Sequence, residues 1–239
     1  MKVEVWSDVM CPFCYIGKRH FENAMDALPF KNEIDVEWKS YQLNPEYHNT
    51  SNETVYDYLS RSKGMPVEQA KQMTKQVSDM AADAGLTINF DKNIPANTFD
   101  AHRLIHLAAK HNLQDLAEEK LFEAHFVRGL NIGEHAVLLQ LAQEMGLDRE
   151  ESSAVLQGAQ FAEAVRYDVY ESQNLGIRGV PYFVMDRKYG VSGAQPVQAF
   201  TDALTKSFAE WKSAQPKTNL TSLNQNDGAK CDENGCALE

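Results

Sequence analysis

No stretch of eighteen apolar residues occurs anywhere in this chain, so no transmembrane helix is predicted. The opening MKVEVWSDVMCPFC has no basic segment followed by a continuous apolar one, which argues against a secretory signal. Basic charge is scarce: 23 Lys and Arg stand against 34 Asp and Glu, a formal net charge of −11. Nucleic acid is held through clustered Lys and Arg, so it is not the expected partner. No internal repeat is present. The expectation is a cytoplasmic protein with neither a membrane nor a nucleic-acid partner.

Cysteine is sparse as well, with four in 239 residues. They fall as two close pairs, Cys11/Cys14 and Cys231/Cys236. A disulfide-stapled secreted domain spreads its cysteines to tie distant segments together. Two short-range pairs in a chain this large are more often redox-active or metal-binding. The remaining composition, 43% hydrophobic and 24% charged, is that of a globular protein with a core to bury.

Val3 and Val5 alternate with polar neighbours and predict a strand over 2–7. After CPFC, residues Phe13, Ile16, Phe21, Ala24, Met25 and Leu28 recur at helical spacing, and Pro12 suits a first helical turn. Ile34, Val36 and Trp38 predict a second strand, which makes the opening a βαβ unit with CPFC at a strand-to-helix junction. From 50 to 175 the pattern is helical, with helices expected at 52–62, 66–84, 97–111, 113–128, 134–145 and 148–174, the last broken near Gly158. Gly85, Gly129 and Gly146 supply C-cap punctuation. Strands return at 182–185 and 189–192, and a helix follows over 196–212. Strand-rich ends around a helical middle predict an α/β fold: a small α/β domain at 1–50 and 176–212, interrupted by a helical insertion at 51–175. Residues 213–239, rich in Asn, Ser, Thr and Gln, read as a flexible tail.

A thiolate rather than a thiol attacks disulfides, and a helix N-terminus within Cys-x-x-Cys lowers a cysteine from ~8.5 to roughly 3.5–7.5. Cys11, first in the motif and just ahead of the helix, is placed for that role as the exposed nucleophile. Cys14, one turn along and more buried, can attack a mixed disulfide on Cys11 and release the substrate. Two other readings of the pair stay open. It can be inert core filling, or it can be half of a four-thiolate zinc site completed by Cys231 and Cys236. Against zinc, Tyr15 and Ile16 run straight into helix with no glycine-containing turn, so no metal and no cofactor is assigned. Pro181, in Gly179-Val180-Pro181, opens a predicted core strand. That position is unusual for proline unless its bond is cis or the strand is an edge.

CPFCYIGK after a strand, NTFDAHRL opening a helix, GVPYFV, and KYGVSGAQP before the last helix together resemble the FrnE branch of the DsbA-like family, over roughly residues 2–210. The resemblance implies a thioredoxin-like fold with an inserted helical domain, and thiol–disulfide oxidoreductase or disulfide isomerase activity on protein disulfides. It implies Cys11 as nucleophile, Cys14 as resolver and Pro181 as the cis-proline, with the backbone of Val180 binding an extended substrate segment. Glutathione or another small thiol is the expected co-reductant. Related 2-hydroxychromene-2-carboxylate isomerases and kappa-class glutathione transferases carry Ser at the nucleophile position, whereas this chain keeps both cysteines. Its Pro-Phe dipeptide differs from the Pro-His of periplasmic relatives and leaves the direction of electron flow open. A reducing cytosol suits isomerisation or reduction better than oxidation.

Cys231 and Cys236 bracket a stretch in which Asn234-Gly235 favours a tight turn. The resemblance points to a second redox pair exchanging with CPFC. A spacer of about 19 residues after Lys212 spans roughly 25 Å and allows millimolar-order effective concentration. Asp232 and Glu233 raise the pKa of Cys231 and slow its attack. His102, His106 and His111 share a predicted helix at metal-like spacing, but no carboxylate stands between them in a metalloprotease pattern, so surface or core roles are expected. His20 and Lys18 are candidates to influence the Cys11 thiolate. Met65, Met73 and Met80, at helical spacing, read as core, compatible with a surface for unfolded chains. The alternatives to the disulfide enzyme are a glutathione-dependent small-molecule isomerase and a zinc-binding, redox-gated interaction protein.

Overall fold

The computed structural model describes residues 1–48 and 53–215, together with the backbone of 231–232 and 235–236. The sequence alternation becomes a four-stranded sheet in the order β2-β1-β3-β4, built from β1 (Lys2–Ser7), β2 (Asp35–Ser40), β3 (Tyr182–Met185) and β4 (Tyr189–Ser192). The central β1 runs parallel to β2, with Val5 opposite Trp38, and antiparallel to β3, with Val5 opposite Phe183. Ile34, expected in the second strand, instead closes a short 3₁₀ turn, and pairing begins at Asp35.

Helices α1 (Pro12–Asp26) and α9 (Val197–Ala214) cover one face of the sheet, burying Phe21, Phe183, Phe200 and Leu204 between them. Phe21 lies 5.1 Å from Phe183 and 5.8 Å from Phe200, the latter edge-on. The opposite face packs Trp6 with Ile177 and Val184, and the Trp6 indole donates to the Asp168 carbonyl at 2.9 Å.

The helical middle comprises α2 (Val55–Lys63), α3 (Val67–Asp83), α4 (Phe99–Lys110), α5 (Gln114–Phe122), α6 (His135–Glu144), α7 (Arg149–Gln157) and α8 (Ala162–Asn174). Thr54 caps α2 by accepting from the Asp57 N–H, and Asp148 caps α7 by accepting from Glu151. Gly85, Gly129 and Gly146 adopt positive φ where the sequence predicted helix ends. The expected helix 113–128 stops at Phe122 and continues as a π turn, Glu123–Val127. The stretch 148–174 is broken at Gly158. Arg103 closes the break by donating to the carbonyls of Val155, Gly158 and Gln160, and Phe161 turns the chain at φ 62°.

The helical core is not self-contained. Val9, Cys11, Cys14, Tyr15 and Ile16 belong to the same buried cluster as Leu104, Leu121, Phe122 and Phe126. Tyr15 stacks on Phe122 at 4.9 Å. Helix α1 thus shows one face to the sheet core and the other to the helices, so the motif lies at their seam.

Candidate active site

Cys11 is the N-cap of α1, and Pro12 occupies the first turn, where its missing N–H is no loss. The Cys11 N–H donates to the Asp8 carbonyl at 2.8 Å, and the Cys14 N–H donates back to the Cys11 carbonyl at 3.0 Å. Both cysteines are free thiols. The Cys11 thiol donates to the Val180 carbonyl at 3.6 Å, across 169 residues of chain. The Val180–Pro181 bond is cis, and the contact of its Val180 carbonyl with Cys11 brings the two motifs read from sequence to one sulfur.

One expectation is corrected: Cys11 does not lie open on the surface. It is only 4% exposed and forms part of the wall of a cavity of about 620 Å³, so a partner must reach it through that cavity. The exposed large hydrophobic residues of the neighbourhood are Phe13 and Leu43. Cys14 is wholly buried, and its thiol is pushed well up by that burial, then by the neighbouring Cys11 sulfur. The Ser7 hydroxyl hydrogen-bonds the Cys14 sulfur and works in the opposite direction.

Several groups around the thiols carry no local sequence signal. Glu118 on α5 is fully buried, with Oε2 accepting from Ser7 Oγ at 3.4 Å and Oε1 without a partner among the described residues. Burial pushes its carboxyl up to about 8, only partly offset by the charge of Lys18. Cys14, Ser7 and Glu118 therefore form a buried chain of ionisable and hydroxyl groups behind the Cys11 sulfur. Asp8 shapes the loop before the motif by accepting from the N–H groups of Met10 at 3.3 Å and Leu43 at 2.7 Å.

Lys18 and His20, candidates to act on the Cys11 thiolate, are engaged elsewhere. Lys18 is 1% exposed. Burial disfavours its charge, but Asp115 at 3.2 Å, Glu22 and Glu119 at 3.2 Å outweigh that and raise its pKa. His20 Nδ1 pairs with the Gln195 carbonyl at 2.9 Å.

The three helix histidines part company. His102 faces Asp8 at 3.6 Å, His106 lies between Ser40 and Asp168 at 3.1 Å each, and His111 pairs with Glu151 at 2.8 Å. Ser40, His106 and Asp168 resemble a hydrolytic triad in composition only, because both partners meet the same ring nitrogen, Nε2, and no relay can pass through the ring. Among the described residues no cluster of His, Cys, Asp and Glu could hold a metal.

The side chains of Cys231 and Cys236, and hence the second redox pair expected there, lie outside the described residues. Their backbones form a short antiparallel ladder, Cys231–Asp232 against Gly235–Cys236, with Cys231 opposite Cys236. Met73 lines the cavity beside Cys11, whereas Met80 is exposed.

A family profile described as DSBA-like thioredoxin domain matches residues 2–205. The crystal structure of a probable DsbA oxidoreductase, SCO1869 from Streptomyces coelicolor, is 36% identical at a TM-score of 0.84, covering 100% of this chain and 99% of that one. The uncharacterized protein YwbO of Bacillus subtilis is 28% identical over 205 residues, 85% of this chain and 95% of its own. The cytosolic disulfide reductase DsbM from Pseudomonas aeruginosa shares the fold at 18% identity and a TM-score of 0.59, over 88% of this chain and 100% of its own. The topology described above is accordingly a thioredoxin-like fold carrying a large helical insertion.

Proposed function

The chain belongs to the family of DSBA-like thioredoxin domains, and on that premise we propose that it is a cytoplasmic thiol–disulfide oxidoreductase and isomerase of the FrnE-like branch, acting on protein disulfides. The observation that carries this reading is the Cys11 sulfur 3.6 Å from the Val180 carbonyl, at the head of α1 and beside Pro181, with Cys14 buried one turn behind. The four motifs along residues 2–210 support the branch, and the short-range pairing of the cysteines supports a reducing compartment.

In the proposed reaction the Cys11 thiolate attacks one sulfur of a substrate disulfide. A mixed disulfide forms, and the other substrate sulfur leaves as a thiolate. The Cys14 thiolate then attacks the Cys11 sulfur, releasing the second substrate thiolate and leaving a Cys11–Cys14 disulfide. Two electrons pass to the substrate. The proton that Cys14 must lose travels through Ser7 Oγ to the Glu118 carboxylate, which is basic enough to take it because burial raises Glu118 to about 8. Two molecules of glutathione or another small thiol return the dithiol. In isomerisation the substrate's own thiolate reclaims the mixed disulfide before Cys14 acts.

We assign Cys231 and Cys236 to a second pair that exchanges with this one. Antiparallel partners stand roughly 4.5–5.5 Å apart between Cα atoms, a separation that a disulfide spans.

The test is reactivation of scrambled ribonuclease and reduction of insulin, with thiol trapping read by mass. Cys11→Ser should abolish both activities, and Cys14→Ser should accumulate mixed disulfides on Cys11. Undiminished turnover by Cys11→Ser would sink the proposal.

A further inference from the structure

Exchange at Cys11 leaves unexplained the cavity beside it and two polar side chains in its wall. At about 620 Å³ the cavity has the size of a ligand pocket. Its walls are the thiol loop from Met10 to Phe13, helices α2 and α3, the stretch around Phe90 and the π turn. Leu59, Met73, Val77, Phe90, Phe126 and Val180 make the lining apolar, and among the described residues Lys63 is its single formal charge.

Asn93 and His125 interrupt that lining while being only 4% and 2% exposed. Among the described residues, neither Nδ2 nor Oδ1 of Asn93 has a hydrogen-bond partner, nor has Nδ1 of His125. Leaving a buried amide unpaired at both ends is costly, and a ligand that pairs with it removes the cost. A carboxamide sets a donor beside an acceptor, the complement of a peptide group. Burial pulls the His125 imidazole down to about 4, so at neutral pH it brings one donor, one acceptor and no charge.

We propose that this cavity selects peptide disulfides in which a large aliphatic or aromatic residue adjoins the reacting cysteine. That side chain enters between α2 and α3, and its peptide group pairs with Asn93. The inference rests on Cys11 as the attacking thiol, whose sulfur stands in the cavity wall beside the Val180 carbonyl, 3.6 Å away. Glutathione fits the cavity poorly. Its two carboxylates and ammonium group meet one lysine and no carboxylate among the described residues of the lining.

The experiment measures second-order rates of mixed-disulfide formation in a Cys14→Ser background. Symmetrical disulfides of short capped peptides carrying Leu, Phe or Ser before Cys are compared with glutathione disulfide and with dithiodipyridine. Each rate is divided by that for methyl methanethiosulfonate, which is too small to fill the cavity. Leu- and Phe-flanked peptides should exceed Ser-flanked ones and glutathione disulfide by about tenfold. Asn93→Leu and, separately, Leu59→Trp should bring that ratio towards one while a cooperative melting transition persists. Equal rates for all flanks overturn the inference and leave the Cys11 reading intact. A preference for dithiodipyridine with no effect of the flank also overturns it, making the cavity a small-molecule site. If Cys11 forms no mixed disulfide with any of the disulfides, both readings fall.

Discussion

Gly17 and Pro181 are packed so closely that a Cβ added at Gly17 would stand 2.8 Å from the proline Cγ. The glycine in CPFCYIGK is therefore a packing residue: it lets α1 close onto the loop that carries the Val180 carbonyl to the Cys11 sulfur. The next turn of α1 cannot move away freely, because Phe21 is held between Phe183 and Phe200 on the sheet.

Gly17→Ala should accordingly push the Pro181 loop from the thiols rather than be absorbed by the helix. Overpacking of this kind costs about 1–3 kcal/mol. For a chain of this size the melting temperature should fall by roughly 2–4 °C per kcal/mol. Disulfide exchange should fall further, by about tenfold or more, since the sulfur and its facing carbonyl lose register. Calorimetry and insulin reduction on the same preparation check both. A stable variant with full exchange activity would mean that the loop does not position the substrate.

Much of the architecture could be read along the chain, because the signals were local. Alternation around Val3 and Val5 gave β1, helical spacing after CPFC gave α1, and Gly85, Gly129 and Gly146 marked helix ends. The two halves of the site were legible for the same reason: Cys-x-x-Cys and a strand-opening proline are each recognisable within a few residues. What could not be read is what depends on contacts across more than a hundred residues. Glu118 looks like any solvent-facing helix glutamate until α5 is laid over Ser7 and Cys14. His125 enters the cavity wall from the π turn, which no periodicity announces. Cys11 looked exposed because a helix N-terminus usually is. The helical insertion closes over it, and only the cavity reveals the route to it.

Glu118→Gln separates the carboxyl's energetic effect from its proposed proton transfer. Burial raises the folded-state pKa to about 8 from an ordinary value of 4.5. Between those limits the native state holds a proton that the unfolded chain gives up. The stabilisation from this linkage is complete below the lower value and is lost as pH rises through about 8. Wild type should lose up to about 1.4 kcal/mol per pH unit relative to Glu118→Gln across that window, read from urea unfolding at several pH values. In stopped-flow resolution of a preformed mixed disulfide, wild type should accelerate as pH rises through about 8. The glutamine variant should be slower by about a hundredfold, the ordinary contribution of a positioned base. Parallel pH–stability curves for the two proteins would show that Glu118 is not titrating in this range.

Asp168 on α8 joins the helical insertion to the sheet at β2, through the Ser40 N–H. β2 is an edge strand, and its outer backbone is covered by side chains from the helices. The Gln114 carboxamide donates to the Trp38 carbonyl at 2.8 Å and accepts from its N–H at 3.0 Å, and Asp168 accepts from the Ser40 N–H at 2.9 Å. Asp168 also faces His106 at 3.1 Å and Lys39 at 3.4 Å. Burial alone would raise its carboxyl, but the bonds from His106 and Ser40 and the charge of Lys39 outweigh it and hold the pKa below the usual value. A depressed carboxylate stabilises the fold above its unfolded pKa, and that stabilisation is lost as pH falls through the folded value. Asp168→Asn keeps the shape and an oxygen for the Ser40 N–H but sets an uncharged amide against His106 and Lys39, the latter keeping only Glu37, so it should cost about 1–3 kcal/mol near neutral pH. The deficit should shrink on acidification, because wild type surrenders the same interaction by protonation. Because α8 is anchored to the sheet through this carboxylate and the Trp6 indole, local opening should appear first as faster amide exchange in β2 and α8, with α1 and α9 still protected. Uniform loss of protection across both faces of the sheet would mean that the insertion and the sheet unfold as one unit and that Asp168 is not their fastening point.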